Sequence, residues 1–173
     1  MKGNSSKRWF IFLLACAFLV GPIGLQSELC GQGRRGHDKH EKRDKERIKG
    51  NRIKKETEED EHGNKRSDRS YDTRGNKIEE TSYNSNGNVE RTIRYHYDND
   101  DDLTESSVYD STDTEIGKNN FEYGQSKLLR KSTTRKQDGS VALKADFEYD
   151  ANDNMRELHA KDGNDRTIQK AVY

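Results

Sequence analysis

Hydrophobic and polar residues alternate along short stretches of this chain, and the stretches return at a fixed interval. In 89–97, Val89, Arg91, Ile93, Tyr95 and Tyr97 fall on one side of an extended strand, with Glu90, Thr92, Arg94 and His96 on the other. Val141, Leu143, Ala145, Phe147 and Tyr149 repeat the pattern. A period of two predicts half-buried strands, because successive side chains of an extended chain point to opposite sides. Between the stretches lie clusters rich in Asn, Asp and Gly, at 71–76, 84–88, 98–102, 110–114, 137–140, 150–154 and 162–165. They recur roughly every 12 to 14 residues, the spacing of serial hairpins, and their residue types suit tight turns.

A longer period is superimposed on the shorter one. Tyr71, Tyr97, Tyr123 and Tyr149 are 26 residues apart, so the unit is a pair of strands with two turns. The aromatic pairs Tyr95/Tyr97, Phe121/Tyr123 and Phe147/Tyr149 are expected to stack as a core-facing ladder that sets strand register, each cross-strand pair contributing about 0.2–1 kcal/mol. The companion strands are more polar, with an apolar row through Leu103, Leu129 and Met155 and a second anchor at Tyr83 and Tyr109, which predicts a sheet with one apolar face. Gly50-Asn51-Arg52-Ile53 echoes Gly75-Asn76-Lys77-Ile78. The expected fold is therefore all-β, an antiparallel meander of repeated hairpins forming an open or curled sheet. Residues 50–70 form a degenerate first repeat and 71–173 the hairpin repeats.

The N-terminal part follows different rules. Lys2, Lys7 and Arg8 precede an apolar run over 9–20 that Gly21-Pro22 interrupts, the layout of a signal peptide. Residues 1–27 are expected to be that segment, cleaved near Leu25-Gln26-Ser27 or, as a second choice, after Gly31. The alternative is a membrane anchor formed by residues 9–25. Leu13-Leu14-Ala15-Cys16 resembles a bacterial lipobox, although a small apolar residue within the export helix accounts for Cys16. Residues 28–49 are so dominated by charge that a disordered linker is expected, with at most a transient helix over 41–50 through Glu-to-Lys contacts one turn apart, and His37 and His40 fall in it as solvated side chains. The expected location is secreted or periplasmic, at the cell envelope. Membrane contact arises only through the N-terminal segment, if that segment is uncleaved or lipidated.

Composition narrows the chemistry. The formal net charge is zero, so no global field favours nucleic acid, and no nucleic-acid partner is expected. Hydrophobic residues make up 28% against 37% charged, which suits thin repeat units better than one large core. Cys16 and Cys30 alone imply neither a disulfide framework nor a CxxC zinc site. Asp98, Asp100 and Asp102 alternate as the first ligands of a calcium loop do, and Asp150, Asn152 and Asn154 hold the same place in the last unit. The match stops there: no Gly stands at the sixth position and Tyr109 stands at the twelfth, so these Asp residues are read first as turn formers and only second as metal candidates. His96 and His159 have no nucleophile motif beside them, and the column Glu79, Glu105, Glu157 recurs as a surface row does. No catalytic residue, enzyme activity or cofactor is expected.

Tyr71-Asp72-Thr73-Arg74-Gly75-Asn76, its degenerate copy Tyr149-Asp150-Ala151-Asn152-Asp153-Asn154 and the recurrent aromatic-x-Tyr-Asp resemble the YD repeats of bacterial Rhs and toxin-shell proteins and of teneurins, over roughly 50–173. The resemblance implies antiparallel β-sheets, often spiralled into a shell, and an association with cell-surface contact and carbohydrate binding. A short secreted member with an open or curled sheet is expected in place of a closed shell. It implies a non-catalytic binding or structural module whose partner is a glycan or a cell-surface protein. The alternative is an accessory or remnant of a toxin-delivery system that docks onto a larger YD shell by β-augmentation.

Overall fold

The computed structural model describes residues 35–173, with only the backbone described at 35–39 and 41. The expected signal segment 1–27, both cysteines and residues 28–34 lie outside the described residues. Helix α1 (Arg35–Gly50) is followed by strands β1 (Lys55–Glu59), β2 (Lys65–Tyr71), β3 (Lys77–Tyr83), β4 (Val89–Tyr97), β5 (Leu103–Tyr109), β6 (Glu115–Tyr123), β7 (Leu129–Lys136), β8 (Val141–Tyr149), β9 (Met155–Asp162) and β10 (Thr167–Val172). All ten strands form one sheet in chain order. Every neighbour pair is antiparallel, so the sheet is an open hairpin meander with β1 and β10 as its edges.

One turn design joins most of these strands. In the turn after β2, Asp72 Oδ1 accepts the amides of Arg74 and Asn76, both at 2.8 Å, and the Gly75 amide closes onto Asp72 O at 3.1 Å. Gly75 takes φ +87°, a left-handed conformation that costs glycine nothing. Asp60, Asn84, Asp98, Asp110, Asp150 and Asp162 accept the same pair of amides in their own turns. Where a unit lacks the glycine, an Asp takes the left-handed position, at Asp101, Asp113, Asp153 and Asp165, or Lys127 does. Asp tolerates that region better than most L-residues because its short side chain bonds locally.

Directly opposed residues of an antiparallel pair share a face, so the register assigns every side chain. Ile93–Val108 and Tyr95–Ser106 lie on one face, continued by Phe121–Ser132, Ala145 between Ser132 and Ala160 and Phe147–Leu158. That face holds the core. Phe121, Leu129, Ala145, Phe147 and Ala160 form one cluster and Ile93, Tyr95 and Val108 a second, with Leu103 packed against both. Toward the N-terminus the core turns ionic. Arg69, one repeat before Tyr95, donates to Glu80 at 2.9 Å and Glu58 at 2.8 Å where the later units place an aromatic ring.

Two parts of the sequence reading change. The expected linker 28–49 carries α1 over most of its length, because its Lys, Arg and Glu residues favour helix and the helix finds a surface to dock on. Ile48 is 2% exposed, Lys45 reaches Asp101 at 2.9 Å and Arg47 reaches Glu56 at 2.7 Å. The second anchor, Tyr83 and Tyr109, lies on the face opposite the ladder. Tyr109 opposes Thr92, and Thr57, Asp68, Thr81 and Thr92 form the same cross-strand row; Tyr83 reaches that row through Asp68. The sheet thus has an apolar face and a hydroxyl- and charge-rich face carrying its own tyrosines.

Candidate binding surfaces

The aromatic unit markers are structural straps. Tyr97 OH donates to Lys77 O at 3.0 Å and Tyr123 OH to Leu103 O at 3.1 Å, each tying the end of one strand to the start of the preceding one. Tyr71, Tyr83 and Tyr95 donate to a carboxylate 15 residues earlier, Glu56, Asp68 and Glu80 respectively. Burial, then the Glu56 bond, pushes the Tyr71 phenol well above its ordinary range; burial also raises Tyr149. Tyr95, Phe121 and Phe147 are buried, while Tyr71, Tyr97, Tyr123 and Tyr149 are half-buried at the turn ends of their strands. The rings are occupied in packing.

Asp98, Asp100 and Asp102 are not gathered around one point. Asp98 Oδ1 accepts the amides of both Asp100 and Asp102, each at 2.9 Å. Asp100 is exposed and stands 3.6 Å from Lys127. Burial and the neighbouring Asp98 raise the Asp102 carboxyl. Among the described residues no group of three or more His, Cys, Asp or Glu side chains is placed to hold a metal ion. The carboxylates of the recurrent column are engaged within the sheet: Glu79 is ion-paired with Arg94 at 3.2 Å and Glu105 with Lys118 at 3.1 Å, and Glu157 is hydrogen-bonded with His159 at 2.9 Å.

Among the described residues the most enclosed charge is Asp68, 7% exposed, which sequence reasoning passed over. Burial would raise its carboxyl, but Thr57 Oγ1 at 2.7 Å, Lys55 at 2.9 Å, Tyr83 OH at 2.9 Å and Lys65 at 3.1 Å outweigh that and hold it far below the carboxylate range. The spacing of an acid 15 residues before a tyrosine was the available signal. Asp68 is fully committed to these partners and knits β1, β2 and β3 together.

The cations of the later strands are arranged differently. On the face opposite the ladder, Lys118 lies directly across from Arg135, and Thr133–Lys144–Lys161 run in one cross-strand row. Like charges placed directly opposite destabilise a sheet. Lys118 is balanced by Glu105 at 3.1 Å and Lys144 by Asp165 at 3.0 Å. Among the described residues no helix is long and apolar enough to cross a membrane.

Fold and surfaces together define a β-repeat protein: a single open antiparallel sheet of serial hairpins with Asx-capped turns. No protein-family model matches the chain, and no curated protein sequence matches it. It is similar to the solved structure of a protein of unknown function from Bacteroides fragilis, with 16% identity, 72% of this chain and 96% of that one covered, and a TM-score of 0.40. It is also similar to parts of the TcdB2–TccC3 structure (14% identity, 62% of this chain and 6% of that one, TM-score 0.31) and of a GtfA/B complex bound to UDP and GlcNAc (14%, 68% and 24%, TM-score 0.28).

Proposed function

We propose that the protein is an exported, non-catalytic YD-type repeat module that binds an anionic glycan of the cell surface through the face opposite the aromatic ladder. The observation that carries this is the opposition of like charges at Lys118–Arg135 and Lys144–Lys161. One cation of each pair already meets a carboxylate, Lys118 with Glu105 and Lys144 with Asp165, and a polymer with regularly spaced anions would balance the second cation of each, Arg135 and Lys161. The YD assignment is supported by the work each motif residue does in the 71–76 turn: Tyr71 strapped to Glu56, Asp72 capping, Gly75 left-handed, Asn76 returning a bond to Asp72 at 3.0 Å.

A glycan array carrying anionic and neutral members tests the reading. The expected result is retention of anionic glycans only, weakened by salt as an electrostatic contact must be. Replacing Lys144 and Lys161 by Glu is expected to lower retention by about tenfold or more, since close charge pairs are worth 1.5 kcal/mol or above. No retained glycan, or equal retention of neutral ones, rejects it. A second reading, docking onto another repeat protein by strand addition, is supported by the exposed apolar side chains along β10.

A further inference from the structure

The cations opposite the ladder follow the repeat. Lys118 and Lys144 are 26 residues apart, and so are Arg135 and Lys161. Each of these two units therefore sets a basic residue of one strand against a basic residue of the next: Lys118 against Arg135 on β6 and β7, and Lys144 against Lys161 on β8 and β9. One unit earlier the same two positions hold Thr92 and Tyr109, opposed in the same register. The hairpin pairing forms without charge there, so the basic pairs are an addition to the fold and not a requirement of it.

Register fixes how far apart the two pairs lie. Lys144 opposes Thr133, which stands two residues before Arg135 on β7. The second pair is thus displaced from the first by two strands across the sheet and by two residues along it. With strands about 4.8 Å apart and a rise of about 3.4 Å per residue, the displacement is about 12 Å on a line oblique to the strands. Lys118 and Lys144 already meet Glu105 and Asp165. Among the described residues Arg135 and Lys161 form no ion pair, and Arg135 bonds only the Gly139 carbonyl, at 3.2 Å. One surplus positive charge per unit therefore recurs at this interval.

We propose that this stripe selects acidic polysaccharides carrying one anion per disaccharide, with one disaccharide laid along each unit of the sheet. The inference rests on the anionic-glycan reading and adds the charge spacing of the ligand. An interval of about 12 Å is near the span of a disaccharide. Adjacent sugars of a chain charged at every residue, and successive phosphates of a nucleic-acid strand, hold their anions closer together. A ligand matched to the interval engages both pairs at once, and its second contact is intramolecular, which raises affinity through effective concentration.

Titration of the full chain, followed by amide chemical shifts, compares three probes. These are a hyaluronan disaccharide with one carboxylate, a hyaluronan tetrasaccharide with two carboxylates one disaccharide apart, and digalacturonate with two carboxylates on adjacent sugars. The tetrasaccharide is expected to bind at least about tenfold tighter than either of the others, with shifts at both pairs. Arg135→Gln and Lys161→Gln are each expected to lower the tetrasaccharide to about the affinity of the disaccharide, and an unchanged urea midpoint shows that the variants remain folded. Digalacturonate binding as tightly as the tetrasaccharide overturns the spacing while the anionic-glycan reading stands. Binding by none of the three rejects both. Tetrasaccharide affinity that neither substitution changes overturns the proposal by placing the contact elsewhere, and tighter binding of an oligothymidylate of equal charge overturns it by assigning the stripe to nucleic acid.

Discussion

At the scale of single residues, the turn positions decide how faithfully the hairpins repeat. The sequence shows Gly at 75 and 87 but Asp at 101, 113, 153 and 165, which looks like decay of the motif. The structure assigns the same left-handed conformation to all of them, so the motif is preserved in backbone and varied only in side chain. Asp153, at φ +62°, belongs to a turn whose capping bonds come from Asp150. Asp153→Gly is therefore expected to relieve left-handed strain and stabilise the protein by about 0.5–1 kcal/mol, after the entropic cost of glycine is subtracted. A urea midpoint that falls, or does not move, would refute that account. Alternation and turn chemistry made these positions legible as turns; the substitution of Asp for Gly was hidden, because Asp also reads as the residue that opens a turn.

At the scale of elements, the strands were legible, and the helix only as a transient one over 41–50. Period-two alternation in 89–97 and 141–149 places Ile93, Tyr95 and Phe147 on the face where they are buried. The face of Tyr83 and Tyr109 was obscure because strands β3 and β5 carry few apolar residues to betray their phase. For 35–50 the composition signals solvation, and the helix propensity of its Lys, Arg and Glu residues is made effective by the tertiary contacts of Ile48, Lys45 and Arg47. Two glycines with similar backbones isolate that docking. A Cβ on Gly75 would come 2.7 Å from Lys45 O, whereas one on Gly87 meets nothing within 4 Å, at φ +87° and +76°. Gly87→Ala is expected to cost about 1 kcal/mol from the left-handed conformation alone, and Gly75→Ala about 2–3 kcal/mol with loss of helical circular dichroism. Equal costs with unchanged helicity would mean that α1 is not seated on the turn.

At the scale of the whole molecule, one sheet is held by two kinds of force. The later strands are joined by Phe147–Leu158 and Ala145–Ala160 across β8 and β9, contacts that do not titrate. The first strands depend on Asp68 with its four donors, on Glu80 held by Lys77 and Arg69, and on Glu56 held by Arg47 and Tyr71. In all three carboxyls the folded protein depresses proton affinity. Their stabilisation is therefore complete above the unfolded values, about 3.9 for Asp and 4.3 for Glu, and is lost as pH falls below these toward the folded values. Glu157 and Asp162 are depressed as well, but they sit beside the apolar cluster and do not replace it. In a repeat array each unit is stabilised by its neighbours and can open locally. Hydrogen exchange at pH 3 is thus expected to show β1 to β3 opening at least about tenfold more readily than β6 to β9, with the gap narrowing at pH 7. Asp68→Asn should cost about 2 kcal/mol at neutral pH and flatten the acid dependence of β1 to β3 while leaving β6 to β9 unchanged. Uniform protection along the sheet at both pH values would mean that the ten strands open as one unit, and that the shift from aromatic rungs to Arg69 and its carboxylates has no energetic consequence.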